Sequence, residues 1–410
     1  MRVVLVYQHF LVSGVGSTKP YDLARHLVRS GHDVTVICGR GFLCQGMDVP
    51  PGLVRELDID GIHVICLGVD YQQRMGFARR VAAFLAFSVL AIAVACFLAR
   101  YDVMLASSTP LTVGLVALAA RYVRRIPYVF EVRDLWPEVP YRAGYLKSRA
   151  LLAISTFFEE WFYREAQTVT LVGRRMCRRL IERGVPEAKV RFLPTGASLG
   201  GDSAGLDEGF RRQTGLDEPF LAVYIGAHGP LNGLGYLLDA AERLGPEDGI
   251  RIVVIGDGAE KARLVEDARR RGLGQITFLP PVRHERVLGI LRACDVALMI
   301  DLMVPGAEYA LPNKFFDYLA AGVCVLSDSD AELWDFLRER DCGVLVSPDR
   351  PEELVDALRS LKAHPRRLRE MGRRCRKLAE DVFDRRILHQ QWTDVLAAAA
   401  RPGQPTTPGA

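Results

Sequence analysis

The chain has 410 residues, 49% of them hydrophobic and 25% charged. That is enough apolar material for two domains with cores of their own, and too much for a disordered chain. A formal net charge of +4 gives no ground for nucleic-acid binding, but it is unevenly spread: residues 1–195 hold 25 Lys and Arg against 16 Asp and Glu, and the remainder holds 28 against 33. A basic first half suits a domain facing anionic lipid headgroups or a lipid diphosphate, although arginine-rich usage from a GC-rich genome gives the same imbalance. The nine cysteines form no CxxC pair or Cys/His cluster. With Cys38, Cys66 and Cys324 in apolar runs, they read as reduced core residues of a cytosolic protein. The first residues read as a strand rather than a cleavable signal peptide.

Strands are expected at 2–8, 33–38, 54–57 with 62–67, 103–107, 128–132, 168–172 and 190–193, with helical patterns between most of them. This alternation is the signature of a doubly wound parallel sheet. After the first strand comes Gly14-Val-Gly-Ser17, then a helix over 21–30 with Leu23, Ala24, Leu27 and Val28 at helical spacing. Glycines there let the backbone approach a ligand at the sheet's carboxyl edge, though the full dinucleotide fingerprint is missing.

Residues 81–99 carry no charge and are bounded by Arg79, Arg80 and Arg100. The length meets the requirement for a membrane span. A single crossing, however, would strand the preceding and following strands of one sheet on opposite sides of a bilayer. Three readings stay open: a buried helix of the domain, a helix lying in the membrane plane between its arginine flanks, and a true span on a different fold.

The strand 128–132 runs into Arg133-Asp-Leu-Trp-Pro-Glu138, a charged cluster at a strand's carboxyl end, where ligands gather in open α/β sheets. Asp134 and Glu138 are candidates for assisting deprotonation of an acceptor, with Arg133 and Asp134 on the acceptor side. In the alternative, Asp134 caps the next turn and Glu138 pairs with Arg142. Glu159-Glu160 and the arginines from Arg174 to Arg179 look like solvated helix faces. Residues 198–219, where Gly, Ser and Asp become frequent, read as a linker between domains at 1–197 and 220–384. A last helix is expected at 385–400 and a disordered tail at 401–410.

The second half repeats the alternation, with strands at 220–226, 251–255, 276–279, 296–300, 323–327 and 343–346. Between its first strand and the helix 236–244 lies Gly226-Ala-His-Gly-Pro-Leu-Asn-Gly-Leu-Gly235, with backbone N–H groups exposed where phosphate is expected. His228 and Asn232 are the polar candidates in it; the alternative for His228 is a loop histidine bonded to a backbone carbonyl. Gly256-Asp257-Gly258 is a strand-to-helix turn, and Pro281-Val282 follow the next strand. Asp328-Ser-Asp330 resembles a DxD triplet but reads as a turn rather than a metal site.

The stretch 311–326, Leu-Pro-Asn-Lys-Phe-Phe-Asp-Tyr-Leu-Ala-Ala-Gly-Val-Cys-Val-Leu, joins a loop to an amphipathic helix with Phe315, Phe316, Leu319 and Ala320 on its buried side. It then stops at Gly322 and enters a strand. Lys314 and Asp317 therefore fall in the first turns, where free N–H groups and the positive dipole end favour an anion. A nucleotide diphosphate fits: the lysine meets phosphate, and the carboxylate accepts two hydrogen bonds from ribose hydroxyls.

This stretch resembles the donor-binding motif of family 4 retaining glycosyltransferases, and more narrowly that of the bacterial cell-surface polysaccharide subgroup, which the 133–138 run and the 226–235 loop also match. The resemblance covers nearly the full length. It implies a GT-B fold, two Rossmann-like doubly wound parallel-sheet domains facing a central cleft. It further implies a donor site formed by Gly14, Gly16, Ser17, Gly226, His228, Asn232, Gly256, Asp257, Pro281, Val282, Pro312, Asn313, Lys314 and Asp317, with Lys314, Asp134, Glu138 and His228 as catalytic candidates. Three departures stand out. Arg133 replaces a usual His, Ala227 and Asn232 occupy the places of an Arg and a Lys that neutralise the leaving diphosphate, and Glu308 lies nine positions before Asp317 where the family's paired acids lie eight apart.

The expected activity is transfer of a hexosyl or N-acetylhexosaminyl group from a UDP-linked nucleotide sugar to a polyprenyl-diphosphate-linked saccharide, with retention and without metal or other cofactor, peripherally on the inner face of the cytoplasmic membrane. The alternatives are a nucleotide-sugar epimerase of the same fold and a catalytically inactive partner subunit of a glycosyltransferase complex.

Overall fold

Short runs of Val, Ile and Leu, each ending in a polar or glycine-rich loop, become the strands of two separate sheets. The computed structural model describes residues 1–12, 18–71, 75–108, 110–144, 146–199, 208–216, 220–309 and 311–401. The first unit, Met1–Pro194 with Arg386–Ala410, holds β1 (Arg2–Tyr7), β2 (Asp33–Gly39), β3 (Val54–Ile59), β4 (Ile62–Leu67), β5 (Val103–Ser107), β6 (Tyr128–Val132), β7 (Thr168–Leu171) and β8 (Val190–Phe192). Their order is β3-β4-β2-β1-β5-β6-β7-β8. The direction of winding reverses between β1 and β5, so the carboxyl ends of those two strands flank the switch point where ligands of such sheets bind.

One strand departs from the parallel sheet expected from the sequence. β3 pairs antiparallel with β4 at the edge. The two residues between them, Asp60 and Gly61, have φ of 52° and 77°, the pair of left-handed residues that a tight hairpin requires.

The second unit, Thr195–Arg385, holds β9 (Phe220–Ile225), β10 (Ile250–Ile255), β11 (Ile276–Leu279), β12 (Val296–Met299), β13 (Cys324–Ser327) and β14 (Gly343–Leu345). They stand in the order β11-β10-β9-β12-β13-β14, every neighbouring pair parallel, and the switch point lies between β9 and β12. Of the stretch expected as a linker, 198–219, the described residues 208–216 belong to this unit. Its helix Glu208–Thr214 buries Phe210 and ties Arg211 to Asp295 at 2.9 Å. Gly, Ser and Asp mark any surface loop, and composition alone does not distinguish one from a joint between domains.

The apolar helix spans Phe77–Phe97. Phe87, Ala91 and Ala95 recur every four residues and are fully buried, and Ser88 Oγ donates to the Thr112 carbonyl at 3.1 Å. On its other side Leu85, Val89 and Phe97 stay exposed. With β4 before it and β5 after it in one sheet, the helix is neither wholly buried nor a single crossing on this fold. A second expectation fails at Glu159, which lies in the helix Arg149–Glu165 and is fully buried rather than solvated. Its carboxylate accepts from Tyr163 Oη at 2.6 Å and Arg183 Nη1 at 3.2 Å, and burial still pushes its pKa up.

The final helix, Arg385–Ala400, supplies Leu388, Trp392 and Leu396 to the core of the first unit, beside Leu5, Leu23, Val36 and Leu105.

Candidate functional site

In the second unit the site grows from Tyr224, the penultimate residue of β9. Its hydroxyl donates to the Ala227 carbonyl at 2.9 Å, fixing the start of the glycine loop. Its ring lies 4.6 Å from the Lys314 ammonium and 6.2 Å from the His228 ring. A cation over an aromatic face is held by the ring's quadrupole. Across the switch point Asp301, two residues beyond β12, binds Lys314 Nζ at 2.9 Å and accepts from Asn232 Nδ2 at 3.0 Å. Asn232 in turn accepts from the Gly229 N–H at 3.0 Å. His228, Asn232 and Lys314, widely spaced in sequence, are thus assembled on two residues that sequence reading missed, Tyr224 and Asp301. Asp301 carried a signal, as a carboxylate directly behind the apolar run 296–300.

Lys314 enters from the first turn of the helix Asn313–Ala321, preceded by Pro312 in extended backbone and closed by Gly322 in the left-handed region with φ 72°. Burial lowers its pKa from the ordinary lysine value, while Asp301 and Asp328 pull the other way. Asp328 closes the cluster. Its Oδ1 accepts from the Asp301 N–H at 3.2 Å, and burial, with the charge of Asp301, pushes its pKa up to about 7. The triplet 328–330 forms a turn in which Ser327 Oγ and Ser329 Oγ bond the local backbone. Among the described residues no group of three or more His, Cys, Asp or Glu stands ready to hold a metal.

His228 is fully buried, and its backbone is clamped to the neighbouring turn. Its N–H donates to the Asp257 carbonyl and its carbonyl accepts from the Glu260 N–H, both at 2.9 Å. Neither ring nitrogen has a hydrogen-bond partner of normal geometry, the Ile255 carbonyl giving only a weak pull. Burial, then the charge of Lys261, lowers the ring's pKa and keeps it neutral. Lys261 is a further residue missed from the sequence. It stands at the start of the helix Lys261–Arg270 and donates to the Gly256 and Leu279 carbonyls at 2.6 and 2.9 Å, bridging the ends of β10 and β11.

The remaining donor candidates lie around this centre. The Gly226 N–H donates to the Ile255 carbonyl at 3.0 Å. A Cβ on Gly256 would lie 1.9 Å from the Gly226 carbonyl oxygen, so only glycine permits the two turns to meet. Asp257 is exposed and accepts from its neighbour Gly258 at 2.8 Å, a turn role. Pro281 and Asn313 are exposed, while Val282 and Pro312 are half-buried. Asp317 is half-buried one turn beyond Lys314, and burial raises its pKa while His284 and Arg385 nearby pull the other way. Glu308 accepts from the Gly306 N–H at 2.6 Å. Gly14, Gly16 and Ser17 lie outside the described residues.

In the first unit the carboxyl ends of β1, β5 and β6 carry a second polar cluster. Lys19 and Glu131 are both buried and pair at 2.8 Å, and Tyr7 Oη donates to the same carboxylate at 2.8 Å. Burial works against the Glu131 charge, but Lys19 and Arg133 outweigh it and hold the pKa at about 2. Beside it the Gln8 amide is buried with both polar atoms unpartnered. His9, with its pKa lowered to about 4 by burial and Arg133, is neutral. The Arg133 N–H donates to Ser108 Oγ at 3.1 Å. Asp134 is exposed, whereas Glu138 is held by Arg179 at 3.2 Å, with Arg142 at 4.0 Å.

Two Rossmann-like sheets in tandem, each with polar residues gathered at its switch point, define a protein of the GT-B fold. The same fold is found in sucrose-phosphate synthase from Thermosynechococcus elongatus (TM-score 0.74, 17% identity, covering 96% of this chain and 98% of that one). It is also found in HepE from Anabaena, in a structure in complex with UDP-glucose (TM-score 0.68, 15% identity, covering 97% and 100%). Residues 16–196 match the family model of the glycosyl transferase 4-like domain, and residues 219–364 match that of glycosyl transferases group 1. The chain belongs to the family 4 glycosyltransferases. It is similar to WcaI of Escherichia coli, assigned to colanic acid biosynthesis as a glycosyl transferase, with 27% identity over 62% of this chain. The chain spans 63% of the length of that relative.

Proposed function

We propose that this protein transfers a sugar from a UDP-linked donor to a lipid-carried saccharide acceptor of cell-surface polysaccharide synthesis, at the cytoplasmic face of the membrane. The observation that carries the donor half is the Lys314 ammonium, held between Asp301 and the Tyr224 ring at the switch point of the second sheet, beside a buried neutral His228 whose ring nitrogens have no partner of normal hydrogen-bond geometry. A buried polar ring without partners is costly unless a ligand completes it. Lys314 and the N–H groups of its helix meet the diphosphate, His228 adds a neutral donor, and Lys261 supplies a second cation in place of the family's Arg/Lys pair. Asp317 receives the ribose hydroxyls. On the acceptor side Asp134 is the exposed carboxylate, and Arg133 lines the same strand end. Structures of HepE with UDP-glucose support the choice of nucleotide, and the WcaI likeness supports the pathway.

The test is a calorimetric screen of UDP, GDP and ADP against the full chain, without metal and then with magnesium. UDP is expected to bind selectively in both conditions, and Asp317→Ala to weaken it. Binding of none of the three would overturn the donor assignment in favour of an inactive partner subunit. Recovery of an epimerised nucleotide sugar without acceptor would overturn the transfer.

A further inference from the structure

Three helices of the first unit lie side by side and leave one apolar face uncovered. The helix Phe77–Phe97 is joined to Val113–Arg124 by the Ser88 bond to Thr112 and by Arg124 Nη1, which donates to the Leu98 carbonyl at 3.0 Å. That second helix is joined to Arg149–Glu165 by Trp161 Nε1 donating to Tyr122 Oη at 3.1 Å, and by Gly114, where any side chain would strike Phe162. On the outer side, Val89 is 65% and Phe97 90% exposed on the first helix, and Ile154 55% and Phe157 60% on the third, with Tyr122 between them at 55%. Only 28% of the most apolar window of the first helix is buried. Single exposed apolar side chains need no explanation, but a surface continuous over three helices does.

Charge chooses the occupant. The segments 79–101, 103–130 and 143–158, which contain this face and its margins, include Arg79, Arg80, Arg100, Arg121, Arg124, Arg125, Lys147 and Arg149 and not one Asp or Glu. Just outside these segments stand Asp102, paired with Arg2, and the exposed Glu160, beside Arg183. An apolar centre with so strongly basic a border matches the acyl boundary and anionic headgroups of a bilayer. An interface between two copies would instead set these cations against each other.

We infer that the face formed by the helices Phe77–Phe97, Val113–Arg124 and Arg149–Glu165 docks the protein on an anionic membrane surface, with all three lying in the plane and none crossing it. This deepens the membrane-facing part of the proposed function, and it is tested without the reaction.

Flotation of the full chain with phosphatidylcholine vesicles, with and without phosphatidylglycerol, reads the docking directly. Binding to the anionic vesicles is expected, weakened by salt, and lowered about tenfold or more by the pair Val89→Asp and Phe157→Asp. UDP binding by the same variant shows that it is folded and keeps the two proposals separate. No binding to either vesicle, or binding indifferent to the pair, would overturn the inference. So would a lipid-free dimer that the variant dissociates while vesicles capture nothing, which would give the face to a second copy. On sealed vesicles, protection of one end of the apolar helix from added protease would show a span and overturn the in-plane geometry.

Discussion

Asp328 and Lys314 occupy one small volume in which burial drives both toward their neutral forms. The carboxyl pKa rises from 3.8 to about 7. Between those values the native group holds a proton that the unfolded one has released, so this residue's effect on stability becomes steadily less favourable as pH rises through that window. The same titration bears on binding. Below pH about 7 only Asp301 opposes the cation, and above it a second negative charge enters next to the proposed diphosphate. UDP affinity is therefore expected to fall about three- to tenfold between pH about 6 and 8.5, and Asp328→Asn to flatten the dependence. Calorimetry across that range checks it. A profile unchanged by the substitution would show that the titration lies elsewhere. His228 was legible because it follows a strand in a glycine-rich loop, and Lys314 because it opens an amphipathic helix that stops at a glycine. Glu131 and Lys19 were not, since their pairing joins residues 112 apart, and a carboxylate inside an apolar strand declares its partner only once β1 and β6 stand in the same sheet.

At the scale of elements, the donor site depends on two turns pressed together, the loop after β9 and the turn after β10. Gly256→Ala would force a methyl into the Gly226 carbonyl, and the turns would have to part. A loss of about 2–4 kcal/mol of stability is expected, measured by denaturant unfolding, together with weakened UDP binding. The alternation of strand and helix, the strand positions and the C-terminal stop of the helix Asn313–Ala321 were all readable, because each has a local cause in periodicity or in glycine. The antiparallel turn at Asp60-Gly61 also had its local signal, an Asp-Gly pair between two apolar runs, but the expectation of a parallel sheet hid it. The solvated reading of Glu159 failed for a different reason: a carboxylate on a helix is usually in water, and only Arg183 and Tyr163 make its burial tolerable.

At the scale of the whole molecule, the two units differ in how their chains are gathered. The second is one continuous segment, whereas the first takes its last helix from beyond Arg385. Trp392 is buried in the first core and its ring lies 5.6 Å from the Lys19 ammonium, which pairs with Glu131. Trp392→Ala is expected to destabilise the first unit by about 3–5 kcal/mol. In a calorimetric scan one of two transitions should move while the other stays. Displacement of both would show that the units melt as one. Two domains were legible from length and composition, whereas the helix Glu208–Thr214 within 198–219, tied to Asp295 through Arg211, was not, because Gly, Ser and Asp around it read as a linker.

The origin of that last helix has a consequence for synthesis. Domains usually fold in the order in which they leave the ribosome. Here the segment that emerges second is complete on its own, while the first-made sheet must wait with part of its apolar surface uncovered until Leu388, Trp392 and Leu396 are translated. The last domain to be started is thus the first that can be finished, and for that interval the nascent chain carries an open core.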